Sequence, residues 1–288
     1  MLGQILLNGL IAGAIYVLAG LSFGIIFTTT SIFHFAHGAV FTMGGFVFYQ
    51  MAVVWHLPFL LSLIASMLFA AVLGVLIERV CYKPLELLGA TQTQIFLTAV
   101  GVTIILQNVA LLIWKSEPVV VPIADALLKG RQVFGLWVTY YQVIILASTG
   151  LLWGILHILM FKTKIGKAIR AFAADPDTAE LMGINTLTIR LMVFLIGSAI
   201  ISLAAAFQIM DLGMDATTGL GIALIGFIAT LIGTSWGLTG IAFAALGLGI
   251  IENIGVVVLS IQWKYVILFG VIILLLILRP KLLFKQTS

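Results

Sequence analysis

The sequence predicts an all-α, polytopic integral membrane protein with about eight to nine transmembrane helices, some of them short or broken. Three observations predict it. Hydrophobic residues make up 62% of the chain and charged residues 8%, and the mean hydropathy is +1.27. No soluble domain with a polar shell holds such values. Apolar stretches recur at about the 20-residue length that crosses roughly 30 Å of hydrocarbon. The 29 glycines suit helices packed closely in lipid.

Nine apolar stretches follow one another, at roughly 2–27, 35–55, 57–77, 93–114, 138–161, 190–210, 219–233, 238–259 and 264–279. No basic residue precedes Arg79, so the first stretch lacks a positive leader region and reads as a membrane helix rather than a cleavable signal. Within it Gly9, Gly13, Gly20 and Gly24 share one helical face. That face suits close packing of another helix, or alternatively lines a substrate path. The stretch at 219–233 is short and carries glycine. It is expected to be a half-span or broken helix, which membranes tolerate where protein or a water-filled cavity covers the backbone. Residues 115–137 form the longest connection and could carry a short helix. No soluble domain, linker or low-complexity tract interrupts the chain, which is expected to be one transmembrane domain over 1–288.

Basic residues set the orientation. Arg79 and Lys83 follow the third stretch; Lys162, Lys164, Lys167, Arg170 and Arg190 flank the fifth and sixth; Arg279, Lys281 and Lys285 follow the last. An even number of passes separates these clusters, so all can lie on one face. That face is expected to be cytoplasmic, with the C-terminus on it, and Lys115, Lys129, Arg131 and Lys264 outside. Counting back puts the N-terminus outside. The net charge of +4 therefore reports topology and not a nucleic-acid partner. The single cysteine, Cys81, excludes an intrachain disulfide and a cysteine metal cluster.

Seven of the 24 charged residues fall between Lys162 and Glu180. Thr163–Phe172 holds good helix formers with a basic face. Asp175-Pro176 then marks a new start, because Asp favours the N-cap and Pro the first helical position. Asp177 and Glu180 suit that helix's positive end, and Gly183 its stop. The expectation is a helix, a break, and a helix of about two turns with Thr178, Ala179, Leu181 and Met182 on its surface. Such an element suits a rigid knob for another protein. The blander reading is an interfacial loop whose bases meet anionic lipid; it leaves the capped Asp175–Gly183 element unexplained.

The stretch resembles the cytoplasmic coupling region, about 162–190 here, of permease subunits of bacterial ABC importers of the branched-chain amino-acid type. Thr163, Gly166, Ala168, Ile169, Arg170, Ala171, Asp175, Ala179, Leu181, Gly183, Ile184 and Asn185 match that family's pattern. FHFAHG (33–38), the glycine-rich run from Leu231 to Glu252, and LRPKLLF (278–284) resemble further elements of it. The resemblance implies a permease half in the bacterial inner membrane that pairs with a second, similar permease. Two cytoplasmic ATPase subunits and a soluble substrate-binding protein complete the system. Gly166, Arg170, Asp175, Thr178, Ala179, Leu181 and Gly183 would form the ATPase-coupling element. No cofactor belongs to this chain on that reading; ATP and Mg belong to the ATPases. The chain lacks a GxxxxGK[ST] phosphate loop, since position 161, where Gly166-Lys167 would need an earlier glycine, is Phe161.

Glu252 and Asn253 lie inside the eighth stretch, and Gln107 and Asn108 inside the fourth. Each pair is either part of the substrate pathway or a hydrogen-bonded structural group. His34 and His37 are spaced for one helical face, but no further ligand lies nearby in sequence. His37 is better read as a hydrogen-bonding group beside closely packed Gly38, with a role at the mouth of the pathway as the alternative. Asp211 and Asp215 either receive the binding protein or mark the water boundary. The family often has Gly-Gly where Ile232-Gly233 stands here, and a Ser-Pro element where MDATTG (214–219) stands. Branched-chain or other amino acids, and urea or short amides, remain open as cargo. The rival classes are a sugar or nucleoside permease, against which FHFAHG argues, and a secondary transporter, which usually shows repeats with charged midplane residues. A membrane enzyme would need a cluster of catalytic polar residues at one depth.

Overall fold

The computed structural model describes residues 2–259 and, beyond them, only Trp263, Val266, Gly270, Ile273 and Ile277. The ninth stretch, the terminal basic cluster and the LRPKLLF run therefore lie largely or wholly outside the described residues. Among the described residues seven segments are long and apolar enough to cross a membrane. The last of them, Thr218–Val258, contains two helices, so eight of the nine expected stretches are observed as helices.

Helix α1 (Leu2–Thr30) is the centre of the bundle. Its 29 residues extend about 43 Å, more than the hydrocarbon thickness. It packs against α12 (Gly237–Leu259), α10 (Thr186–Asp211), α11 (Thr218–Gly233) and α7 (Tyr140–Lys162). The predicted glycine seam is the contact surface. A Cβ built on Gly9 would sit 2.9 Å from Ile250 Cα, and one on Gly13 3.0 Å from Leu246 Cα. Gly20 and Gly24 face Ile241 of α12 and Ala229 and Thr230 of α11. The order of these contacts makes α12 antiparallel to α1.

Two helices begin inside the bundle. After Thr30 the chain turns at Ser31 (φ 56) and folds back, so that His37 at the start of α2 (His37–Tyr49) lies beside Ser22 of α1, Nε2 to Oγ 2.9 Å. Eight residues of helix separate Ser22 from Thr30, a depth of about 12 Å. Residues Ile32, His34 and Ala36 of the returning segment are fully buried, and short-range bonds such as His37 N–H to His34 O (3.0 Å) satisfy its backbone. This is the protein-covered irregular backbone that a membrane permits. Helix α11, 16 residues long, starts at the same place: a Cβ on Gly38 would fall 2.6 Å from Gly219 O. The short stretch at 219–233 is thus a broken span, as predicted.

Helix α2 continues through a π-helical turn, Gln50–Val54. Helix α3 (Phe59–Ile77) runs through another, Glu78–Tyr82, into the short α4 (Lys83–Leu87). Helix α5 (Gln92–Trp114) returns across the bundle. The 115–137 connection carries the expected short helix, α6 (Asp125–Leu128), and a β-hairpin the sequence did not suggest. Its strands β1 (Gly130–Val133) and β2 (Leu136–Thr139) pair antiparallel. The hairpin is fastened to the first turn of α1: Gln4 Nε2 donates to Trp137 O (3.1 Å) and Trp137 N–H to Gln4 Oε1 (3.0 Å). Val119 and Met214 bond to each other through both backbone pairs at 3.0 Å. The N-terminus of α1 therefore lies on the hairpin face, opposite the 162–185 segment.

Overpacking the seam is expected to destabilise. Gly13→Leu must push α12 off α1, at about 1–3 kcal/mol or more. Gly247→Leu, where a Cβ meets nothing within 4 Å, is expected to leave the thermal midpoint in detergent unchanged. Equal midpoints for the two variants would contradict the packing described.

Candidate functional site

The charged segment folds through local chemistry that its sequence dictates. Helices α8 (Lys164–Ala174) and α9 (Pro176–Leu181) follow α7 with one non-helical residue at each join. Thr163 Oγ1 accepts from Gly166 N–H (3.0 Å) and donates to Leu159 O (2.6 Å). Gly166 is pressed so closely on the Leu159 and Met160 carbonyls that any side chain would collide with them. Asp175 caps α9, accepting from Asp177 N–H (3.1 Å) and Thr178 N–H (3.3 Å). The Thr178 hydroxyl and N–H hold the Asp175 carboxyl below the usual carboxylate range. Gly183 takes φ +82°, a left-handed turn natural to glycine, and Ile184 N–H closes back on Ala179 O (3.0 Å). Asn185 caps α10 by accepting from Thr188 N–H (2.9 Å).

One expected position changes. Ala179 is 3% exposed, so it is not on the surface of α9; with its small side chain it seats the helix against its neighbours. Leu181 and Met182 are 87% and 78% exposed and, with Thr178, form the outward face. Arg170 is turned back on α7: its guanidinium donates to Met160 O and lies 5.2 Å from the Phe161 ring centroid. Gly166 and the Arg170 guanidinium thus shape the α7–α8 corner, while Lys164, Lys167 and Arg170 itself stay exposed on α8.

Behind α9 lies a cavity of about 580 Å³, lined by the end of α1 (Thr29 to Ser31), by Lys83 and Glu86, and by Asp177, Glu180 and Arg190. Arg190, in the first turns of α10, is paired with Glu78 and Glu86 at once. Glu78 is fully buried. Sequence reasoning counted Arg190 as one more interfacial base; the only signal of its partnership was Glu78, an isolated acid at the end of an apolar run.

The pathway candidates do not converge. His37 stands at the meeting point of α2 and α11, with His34 5.2 Å away between ring centroids. Ser22 gives its own proton to Ala19 O (2.8 Å), so His37 donates to it from Nε2. His34 Nδ1 lies 2.8 Å from the Tyr82 hydroxyl. Glu252 is 4% exposed and accepts from the Tyr16 hydroxyl at 2.5 Å, as a hydrogen-bonded structural acid would. Asn253 bonds to Gly249 O within its own helix. Both line a cavity of about 330 Å³ toward the hairpin face, with Gln142, Gln208 and Asp211. Gln107 and Asn108 are elsewhere, on α5, where Asn108 donates to Ile104 O and is otherwise exposed. Asp215 is the cap of α11, accepting from Thr217 N–H (2.8 Å) and Thr218 N–H (2.9 Å). Burial raises its pKa, but the Thr217 and Thr218 bonds outweigh that and leave it lowered.

Residues 5–276 match the family described as the branched-chain amino acid transport system permease component. The high-affinity branched-chain amino acid transport system permease protein BraD of Pseudomonas aeruginosa is 30% identical, over 96% of this chain and 94% of BraD. LivH of Escherichia coli K12 is 28% identical over 96% and 93%. A probable LivH of Methanocaldococcus jannaschii is 25% identical over 87% and 80%. The chain belongs to this permease family.

Removing one partner of the buried ion network should be severe. Arg190→Ala leaves Glu78 charged and unpaired and is expected to cost about 3–5 kcal/mol. Glu86→Gln, at a site 28% exposed, should cost less; unfolding in detergent measures both. For α9, a depressed carboxyl pKa means that the Asp175 cap is complete above the ordinary Asp value of about 3.9. It is lost as pH falls through the lower folded value. Thr178 amide protection, corrected for intrinsic exchange, should stay level from about pH 8 to 5 and drop below that range. Unchanged protection at pH 2 would refute the cap's role.

Proposed function

We propose that this permease-family chain forms one half of the membrane pore of an ATP-driven importer for branched-chain amino acids, and that α9 is the part an ATPase grips. The names of the relatives support the cargo. The exposed Leu181–Met182 pair is the observation that carries the mechanical reading. Two large apolar side chains stand in the open on a helix whose start, stop and underside are all fixed by local bonds and packing. A rigid apolar tip rimmed by Asp177 and Glu180 is what a groove on another protein can hold and displace.

On this reading the α9 face is cytoplasmic and the chain sits in the bacterial inner membrane. Lys162, Lys164, Lys167 and Arg170 on that face follow the positive-inside rule. A second permease pairs with this chain, two ATPases carry ATP and Mg, and a soluble protein delivers cargo to the hairpin face. His37, at the junction of the broken helices, and Glu252 with Asn253, on a cavity wall, are assigned to the pathway. Gln107 and Asn108 are assigned to the contact with the second permease, since amides facing lipid are costly.

Reconstitution of the complete complex in liposomes tests this by uptake of labelled leucine. Leu181→Asp is expected to insert normally, to leave basal ATP hydrolysis, and to lower uptake at least about tenfold, a loss within the range of inter-site couplings. Gly183→Val, which forces a branched side chain into a left-handed turn, should act in the same direction. Wild-type uptake in Leu181→Asp would sink the assignment of α9.

A further inference from the structure

Between α9 and the junction of the two broken helices runs a series of polar and ring contacts linked through the chain. Ile184 N–H closes α9's turn on Ala179 O, Asn185 caps α10 by accepting from Thr188 N–H, and one turn later Arg190 reaches Glu78 and Glu86. Glu78 opens the π-helical turn Glu78–Tyr82, and such irregular turns often mark functional positions in helices. Tyr82, at its other end, is fully buried and meets His34 at 2.8 Å. His34 contacts His37, and His37 donates to Ser22 of α1. Gly38, the next residue, abuts Gly219 at the start of α11.

Stability alone does not explain these groups. A buried ion pair is on average no more stabilising than apolar residues of the same volume, and an apolar bundle is what the rest of this sequence builds. The ionic joint does confer geometry. A guanidinium holds two carboxylates in a fixed fork, so α10 and α3 must move together there. The 580 Å³ cavity behind α9 leaves room for α9 to shift relative to the end of α1, while α10 and its arginine offer a stiff route.

We infer that Arg190 and Tyr82 are positioning residues for transport, the two joints by which a displacement of α9 reaches the ends of α2 and α11. The inference rests on the reading of α9 given above. Neither residue touches cargo. Arg190 locks α10 to the π-turn of α3, and Tyr82 passes the movement of that turn to the His34–His37 segment from which α2 begins.

The test uses the complete complex in lipid nanodiscs and in liposomes, in a Cys81→Ser background. Spin labels at Val54, on the exposed end of α2, and Leu151, exposed on α7, report whether α2 moves when ATP is added. Arg190→Lys keeps the charge and loses the fork; Tyr82→Phe removes one hydroxyl. Both are expected to hydrolyse ATP, to lose the ATP-dependent change in the Val54–Leu151 distance, and to import about tenfold less leucine per ATP, a typical inter-site coupling. The same distance change and the same leucine per ATP as wild type would overturn the inference. So would a loss of hydrolysis, uptake and thermal midpoint in proportion, because that is the behaviour of a purely structural group. If wild type imports no leucine yet shows the distance change, and the variants lose it, the cargo assignment falls and the relay stands.

Discussion

Gly9, Gly13, Gly20 and Gly24 bring the backbones and side chains of α12 and α11 against α1 at separations that leave little room for a methyl group. Lipid supplies no hydrophobic drive between helices, so association depends on such close dispersion contact and on buried polar bonds. With α1 enclosed on nearly every side, the other helices have a common reference. Thr230 of α11 can then donate to Gly20 O (3.1 Å), and Tyr16 to Glu252. These are long-range bonds that would be wasted on a loosely held centre.

The same enclosure permits irregular backbone. The segment 31–36 returns into the bundle and α11 begins well inside it, and each would be prohibitive if lipid touched it. Protein covers both, and their starts share one site at Gly38 and Gly219. The π-turn of α3 belongs to this pattern; that of α2 lies at the helix's far end, where Gln50 accepts from Trp114 Nε1–H (2.9 Å). Regular helices form the frame, and the π-turn of α3 joins the ion network to the broken helices.

Much of this was legible in the residues. The apolar runs located eight helices to within a few positions, because hydropathy is nearly a sufficient signal in a bilayer. The Asp175-Pro176 start and Gly183 stop were readable because capping chemistry is local. Ala179 lies beneath α9 and not on its surface, because burial on a six-residue helix depends on what it rests against. The Arg190 network was hidden for the same reason: its acids stand 112 and 104 positions away in the chain. The hairpin escaped notice because Gly130–Thr139 lacks a strong two-residue turn signal; Phe134-Gly135 serves instead, with Phe134 at φ 50.

The strap formed by residues 115–139 has a mechanical corollary. One end is stitched to the α10–α11 turn by the Val119–Met214 pair and by Val121 N–H to Ile209 O (3.3 Å). The other is buckled to Gln4 on α1. The far mouth of the bundle thus carries a girdle joining its first helix to its sixth crossing. Dilating that mouth means either unfastening several main-chain bonds or swinging α1 and α10 as a single lever, and the second motion breaks none of them.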